Sequence, residues 1–358
     1  MASTGINFSN LTPDNGAISD LRELIFRAVL DGEKLGALFN VLPNQKHGDK
    51  VGFIGEFGLV GKASQGCDPV YNNSVLAANE KTWDILAWEI AESICYADLE
   101  GTLASVALRT KTAAADLTGT EYVDYVLMPR LEVAIRKMLH RLAWFGDKAA
   151  SNVSSGGVLA DGVDAGFFNV TDGIWKRVFA GVSANSIKQT AIAANSQTTF
   201  ATQKSKLLEA GVATGIIDNM IMDAPMALRQ AANQVIYLTQ SMKDALDYDL
   251  VHNNKGSELQ WTALFDGITE ATYKGITVRA IPFWDETIRA YEGDGTAWNK
   301  PHRAIYTVKE NLLLGLESAN EMAEIEVWFE KKDKKNYIRV EDKLGTLIAD
   351  DSLIQVAY

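Results

Sequence analysis

Few residues in this chain have the types and spacing that chemistry requires. The run from Gly55 to Ser64 comes nearest to a phosphate-binding loop. Such a loop needs glycine, four residues, then Gly-Lys-Ser/Thr, so that backbone N–H groups surround the phosphates and a hydroxyl reaches magnesium. Here Gly61 and Lys62 are followed by Ala63, and Glu56 stands where the first glycine belongs. A carboxylate at that point repels phosphate, so no nucleotide site is expected. The histidines His47, His140, His252 and His302 are scattered, none three or four residues from another, and give no metal-binding pair. Cys67 and Cys95 lack Cys-x-x-Cys spacing and read as reduced thiols. No Gly-x-Ser-x-Gly turn offers a hydrolase nucleophile. The acid pairs Asp350-Asp351 and Glu341-Asp342 fall in turn-like or solvated stretches. The basic run Lys331-Lys332-Asp333-Lys334-Lys335 reads as a solvated hairpin tip, or as a contact with an acidic neighbour. Catalytic, cofactor and metal sites are therefore all expected to be absent.

Composition narrows the class. The 358 residues carry 34 Lys+Arg and 46 Asp+Glu, a net charge of −12 at pH 7. Apolar residues make up 47% and charged residues 22%, which excludes a disordered chain. No uncharged apolar stretch of about 18 residues is present, as a membrane span would need. The acidic balance argues against a basic nucleic-acid binder. The polar N-terminus lacks the features of a secretory signal. A soluble acidic chain remains, long enough for about two domains and expected to be made in a reducing cytoplasm.

The elements that could position a site are more informative. Residues 1–17 read as an arm, and Ser19 precedes an amphipathic helix carrying Leu21, Leu24, Ile25 and Ala28. Residues 41–96 read as an extended excursion, with glycines at 52, 55, 58, 61 and 66 interrupting apolar residues. The stretch from Lys81 to Tyr96 alternates without a clean polar face, and fits either a limb of that excursion or a helix start. A long two-stranded hairpin is marginal alone and needs a surface to lie on, most naturally an adjoining subunit. Thr118 to Glu121 fits a capping box, and apolar residues from Leu127 to Phe145 step by three and four. Pro129 implies a kink there, or a helix that starts at that proline. Residues 148–172 read as a loop. Residues 173–252 read mainly as helices, with a break at Pro225, a strand over 235–240 and Ser241 as a helix cap. Strands dominate 267–317, and the alternation of Ile325, Val327 and Phe329 predicts a C-terminal hairpin turning at Asp333 to Lys335.

This order resembles the major capsid proteins of tailed double-stranded DNA phages, whose fold is shared with encapsulins and the herpesvirus capsid floor domain. Three segments carry the resemblance. Residues 41–96 look like the family's extended loop, and 118–146 like its spine helix. Residues 275–285 and 302–317, with the turn Asn311-Leu312-Leu313-Leu314-Gly315, look like its axial-domain stretch, and the C-terminal strands like its closing strands. The resemblance implies an α+β capsid fold. Its parts are an N-terminal arm and first helix (1–40), an extended β-hairpin loop (41–96) and a peripheral domain with spine helix and β-sheet (97–172). An axial α/β domain (173–317) follows, then C-terminal strands (318–358) returning to the peripheral domain.

The implied function is a structural shell subunit, not an enzyme. It would assemble as hexamers and pentamers into an icosahedral virion shell, built in the host bacterial cytoplasm. Its partners would be copies of itself, with scaffolding, portal and decoration proteins; it would enclose DNA without sequence-specific binding and contact no membrane. The short N-terminal arm leaves no room for a fused scaffolding segment, and neither Lys50 nor Lys62 can be matched to the lysine that crosslinks subunits in some members. Phe53, Phe57, Lys62, Trp83 and Trp88 are the candidate subunit-interface residues. An encapsulin-like compartment is the alternative, and an enzyme without a recognisable motif the more distant one. The −12 charge suits a wall that contains DNA without gripping it.

Overall fold

The computed structural model describes residues 35–54, 78–95, 128–151, 159–160, 162–252, 258–317, 324–330, 332 and 335–358. The arm, nearly all of the first helix and the 118–121 capping box lie outside the described residues. Two sheets organise the rest. In the first, β13 (Lys335–Ile348) is the central strand. One of its edges pairs with β4 (Leu86–Cys95) and the other with β12 (Glu324–Glu330) and then β11 (Leu312–Leu316). β1 (Asn40–Leu42) adds to β11 in parallel. The second sheet has seven strands, in the order β5 (Lys188–Thr190), β14 (Ile354–Ala357), β10 (Ala304–Val308), β6 (Gln234–Thr239), β9 (Ile276–Ile281), β8 (Thr269–Tyr273) and β7 (Thr262–Ala263). A separate two-stranded sheet joins β2 (Lys50–Ile54) to β3 (Ala78–Thr82).

The helices are α1 (Leu35–Leu38), α2 (Met128–Phe145), α3 (Ile174–Ser183), α4 (Phe200–Leu207), α5 (Val212–Met222), α6 (Met226–Gln230), α7 (Gln240–His252) and α8 (Pro282–Tyr291). In α2, Pro129 is the second residue. The residues before Met128 lie outside the described ones, so the choice between a kink and a start at Pro129 lies there too. Leu131, Ile135, Leu139 and Leu142 form the buried stripe, while Val133 and Lys137 face out. Gly146 follows the helix, and a side chain has no room there: a Cβ would lie 2.2 Å from the Thr171 carbonyl oxygen. Trp144 then packs edge-on against Trp284 at 4.7 Å, and Trp284 against Trp175 at 5.0 Å. This tryptophan group joins α2, α3 and α8 in one core, which also takes in residues of both large sheets.

Several expectations need correction. Residues 282–291 form a helix inside the stretch expected to be dominated by strands, and Pro282 starts it. Ser241 does not cap α7 with its side chain; the Asp285 carboxylate accepts from the Gln240 and Ser241 N–H groups at 2.5 and 3.1 Å. Burial raises the Asp285 pKa, and those bonds together with Arg289 hold it down in part. Residues 86–95 are a strand of the five-stranded sheet rather than a limb of the hairpin. The C-terminal strands divide between the sheets, since β12 and β13 lie in the first and β14 in the second.

Two short connections run directly between the sheets, through residues 309–311 and 351–353, besides the long passage from β4 to β5. Asn311 joins the two crossings. It is 2% exposed. Its Nδ2 donates to the carbonyls of Asp350 (2.9 Å) and Leu353 (3.2 Å) and to Thr307 Oγ1 (3.2 Å). Its Oδ1 accepts from the Asp350 N–H at 2.7 Å. Asn311 thus has a defined physical task. The stretch 311–315 is not the expected turn: Asn311 ends the crossing, and residues 312–315 already belong to strand β11.

Candidate functional site

The β2–β3 hairpin is the feature that stands apart. Its register pairs Lys50 with Thr82, Gly52 with Glu80 and Ile54 with Ala78, and neither strand pairs with any other described strand. Gly52, Glu80 and Thr82 are exposed. Lys50 Nζ meets Glu80 Oε2 at 2.7 Å on the surface. The hydrogen bond and the opposite charge raise the Lys50 pKa and lower that of Glu80, so both stay ionised. Such an exposed pair adds little stability. Two strands with this little support are marginal in water.

The base of the hairpin, by contrast, is firmly held. Trp83 is fully buried against Leu313 and Leu347, with Val51 and Leu42 alongside. It lies flat on Gly315, where a Cβ would come within 2.8 Å of the indole. This explains the glycine at position 315, inside β11: only hydrogen leaves room for the ring. The Trp83 N–H donates to the Asp49 carbonyl at 2.8 Å, and the Gly48 N–H donates to the Trp83 carbonyl at 2.9 Å. Lys81 reaches from β3 to the Ile348 carbonyl (2.9 Å) and Asp351 (2.5 Å). Asp84 pairs with Lys148 and, at 3.3 Å, with His47. The hydrogen bond to Asp84 is the main cause of a raised Lys148 pKa.

Of the five interface candidates, Trp83 and Trp88 lie in the core of the chain itself, at 0% and 3% exposure. They present no surface to a neighbour. Trp83 anchors the hairpin base, and Trp88 on β4 joins the main core. Phe53 stands on β2 opposite Asn79. Phe57 and Lys62 lie outside the described residues.

One arrangement mimics catalytic machinery. Ser241 Oγ lies 2.9 Å from His302 Nδ1. His302 Nε2 faces the Gln203 carbonyl at 3.3 Å, which places the proton on Nε2 and makes Nδ1 the acceptor. The ring is 4% exposed, and burial lowers its pKa to about 4. A base that weak, sealed from solvent and with a carbonyl rather than a carboxylate behind it, does not activate a hydroxyl at neutral pH. The pair is a structural latch, completed by the reciprocal bonds between Asn195 and the His302 backbone at 2.7 and 2.9 Å. A second buried polar group is Arg303, fully buried and paired with Glu292. Its guanidinium lies over the rings of Phe145, Trp175 and Phe179 and donates to the carbonyls of Asn299 and Lys300. Among the described residues no group of three or more His, Cys, Asp or Glu is placed to hold a metal, and no helix is long and apolar enough to cross a membrane.

No family model and no curated protein sequence matches the chain. Solved structures do. A chain of Gordonia phage Cozz superposes with a TM-score of 0.50 at 10% identity, covering 90% of this chain and 85% of that one. A chain of Mycobacterium phage Ogopogo gives 0.50 at 12% identity, covering 90% of each. A chain from the satellite phage P4 procapsid that includes the size determination (Sid) protein gives 0.49 at 11% identity, covering 95% and 98%.

The chain has an α+β phage capsid fold.

Within the capsid fold, Asn311, Gly315 and the Arg303–Glu292 pair are the residues that sequence reasoning did not single out for their roles. The stretch from Asn311 to Gly315 carried a signal, a polar residue and a glycine bracketing three leucines. Nothing in the sequence places Trp83 on Gly315 or Asp350 beside Asn311, because those pairs are 232 and 39 residues apart by their numbering.

Proposed function

We propose that this chain is the major capsid protein of a tailed double-stranded DNA phage. It assembles as hexamers and pentamers into the icosahedral shell around the genome. The observation that carries this reading is the β2–β3 hairpin, a two-stranded ribbon that pairs with no other described strand yet is anchored at its base by Val51, Lys81, Trp83 and Asp84. A ribbon of this kind gains stability when laid across an adjacent copy, and its fixed base sets the direction in which it reaches. The capsid fold supports the same reading, as does the net charge of −12, which avoids trapping DNA on the inner wall. In this account the five-stranded sheet and α2 form the peripheral part, the seven-stranded sheet and its helices form the axial part, and residues 41–96 include the extended loop. Phe53, Phe57 and Lys62 are the loop residues proposed to meet the neighbour. Scaffolding, portal and decoration proteins are its proposed partners. Assembly takes place in the host bacterial cytoplasm, and the mature site is the virion.

The test shortens the ribbon. Gly52 and Glu80 face each other in the register, so joining them through an Asn-Gly turn removes the outer part without disturbing the base. The subunit should keep its unfolding midpoint while shells no longer form. Shells of normal size from this variant, or a subunit that unfolds, would refute the reading.

A further inference from the structure

The seven-stranded sheet and its helices carry two faces of opposite character. At the β5 end, Lys188 and Gln189 of the edge strand border a groove of about 850 Å³ that is also lined by Met222, Met226 and Arg229. Met222 and Met226 are 58% and 60% exposed, a large apolar outlay for a solvent-facing position. The described hydrogen bond of the Arg229 guanidinium is a 3.4 Å contact to the Met222 carbonyl, so its charge is left to face outward. Asp223 also lines the groove.

The second face is the outer side of α7, a helix that packs over the middle strands β6 and β9 and against α5. Asp244, Tyr248 and Val251 follow one another at spacings of four and three, and Asp247 joins them. Tyr248 and Val251 are 43% and 42% exposed. Asp247 accepts from Trp261 Nε1 at 2.8 Å, which ties this face to the segment entering β7, where Leu264 is exposed. Asp244 accepts from the Gln240 amide, and Glu258 raises the pKa of Asp247 together with burial and Asp244. Lys243 lies against this face but sits over the Trp261 ring.

We propose that these two faces dock on each other between neighbouring copies, the Met222–Met226 groove of one subunit taking the outer face of α7 of the next. The occupant is a second copy of this chain because the faces are complementary. Each has an apolar centre, and the Lys188–Arg229 rim of one matches the Asp244–Asp247–Glu258 rim of the other. Two different patches that dock on each other make a heterologous contact, which closes into a ring when the rotation per subunit divides the circle. An isologous dimer would instead need a patch that matches itself. The inference rests on the shell reading and specifies which surfaces form its capsomers.

Disulfide trapping tests the contact directly, with Cys67→Ser and Cys95→Ser as background. Purified capsomers are built from a mixture of Met226→Cys and Tyr248→Cys subunits and oxidised. Dimers containing one chain of each kind are expected, while either variant alone stays uncrosslinked. Placing both substitutions in one chain should give a ladder of oligomers. Mixed dimers that fail to form, or dimers of Met226→Cys with itself, overturn the proposal. Charge reversal supplies the second arm. Lys188→Glu with Arg229→Glu should raise the protein concentration needed for rings about tenfold, and Asp244→Lys with Glu258→Lys in the same chain should restore it. Rings unaffected by the first pair, or not restored by the second, overturn the proposal as well. Electron microscopy of the parent reads shell formation separately. Intact shells without trapping leave the shell function standing and remove this contact, whereas a ladder without shells does the reverse.

Discussion

Replacing Asn311 with alanine should loosen the connection between the two sheets. The side chain makes four hydrogen bonds at 2.7 to 3.2 Å, from a position that is 2% exposed. Their loss is unequal. The Leu353 carbonyl keeps Thr307 Oγ1 at 2.7 Å, and the Asp350 carbonyl keeps the Leu353 N–H at 3.2 Å. The Asp350 N–H, in contrast, loses its described acceptor. One orphaned donor costs about 1–3 kcal/mol, and the weakened carbonyls add about 1 kcal/mol, so a loss of about 2–4 kcal/mol is expected. In urea at pH 7, with a slope near 3 kcal/mol/M, the midpoint should fall by about 1 M. Asn311→Asp keeps the acceptor but turns a carboxylate toward two carbonyls, and should be at least as damaging. Gln260→Ala, at an exposed position, should stay within about 0.5 kcal/mol of the parent. If Asn311→Ala behaves like Gln260→Ala, the crossings are not held by this side chain and the reasoning fails.

Further predictions concern packing, buried charge and pH. Gly315→Ala should cost about 1–3 kcal/mol by pressing on the Trp83 ring, and Trp83→Leu in the same chain should cancel part of that loss in a double-mutant cycle; additive losses would show that the two do not touch. Arg303→Met should destabilise by about 3–5 kcal/mol because Glu292 is left buried and unpaired, while adding Glu292→Met should recover much of the loss; equal losses would locate Arg303's role in its ring contacts instead. Burial holds the pKa of His140 and of His302 at about 4, below the ordinary 6.5. Their contribution is complete above pH 6.5 and is lost as pH falls toward 4, because the unfolded chain takes up protons that the native state refuses. Asp342, raised by burial to about 6, acts in the opposite sense over the same window, its contribution being lost as pH rises from about 4 to 6. Asp342→Asn should therefore steepen the fall in stability between pH 6 and 4, measured by urea midpoints, by up to about 1.4 kcal/mol per pH unit; a flatter profile would contradict the assignment.

How far the sequence revealed this depended on whether the signal was local. The three-and-four spacing in α2 and the alternation in β12 are repeated within one element, so both were legible. Pro129 was legible in kind but not in outcome, since a proline serves equally at a kink or a start, and the residues before it decide which. The stretch from Lys81 to Tyr96 was ambiguous for a definite reason. Trp83 and Ile85 are buried in a small core beside the hairpin, in a segment that is not strand. The alternation of β4 begins afresh at Leu86, with Trp88 buried and Ala87, Glu89 and Ala91 outward. Two phases run together in the sequence and mask each other. The helix α8 was missed although Pro282 starts it and Trp284 and Ile288 lie four residues apart on its buried side. The preceding β-branched run drew the reading toward an extended chain. The choice of Trp83 and Trp88 as interface residues fell to the same limit: an aromatic residue signals burial, but its partner is fixed by contacts far away in the chain. Met222, Met226 and the acidic face of α7 drew no attention because their spacing is local but which of them stay exposed is decided by the packing of the whole chain.

The measurement closest to the central claim is electron microscopy of the expressed protein, with the nucleic-acid content of any particles determined. The account predicts hexameric and pentameric capsomers that close into icosahedral shells, and DNA-filled particles with portal and tail when the chain is made during infection. Shells enclosing protein cargo and no genome under those conditions would contradict the phage assignment. A chain that stays a monomer or dimer with every scaffold supplied would contradict the shell function itself.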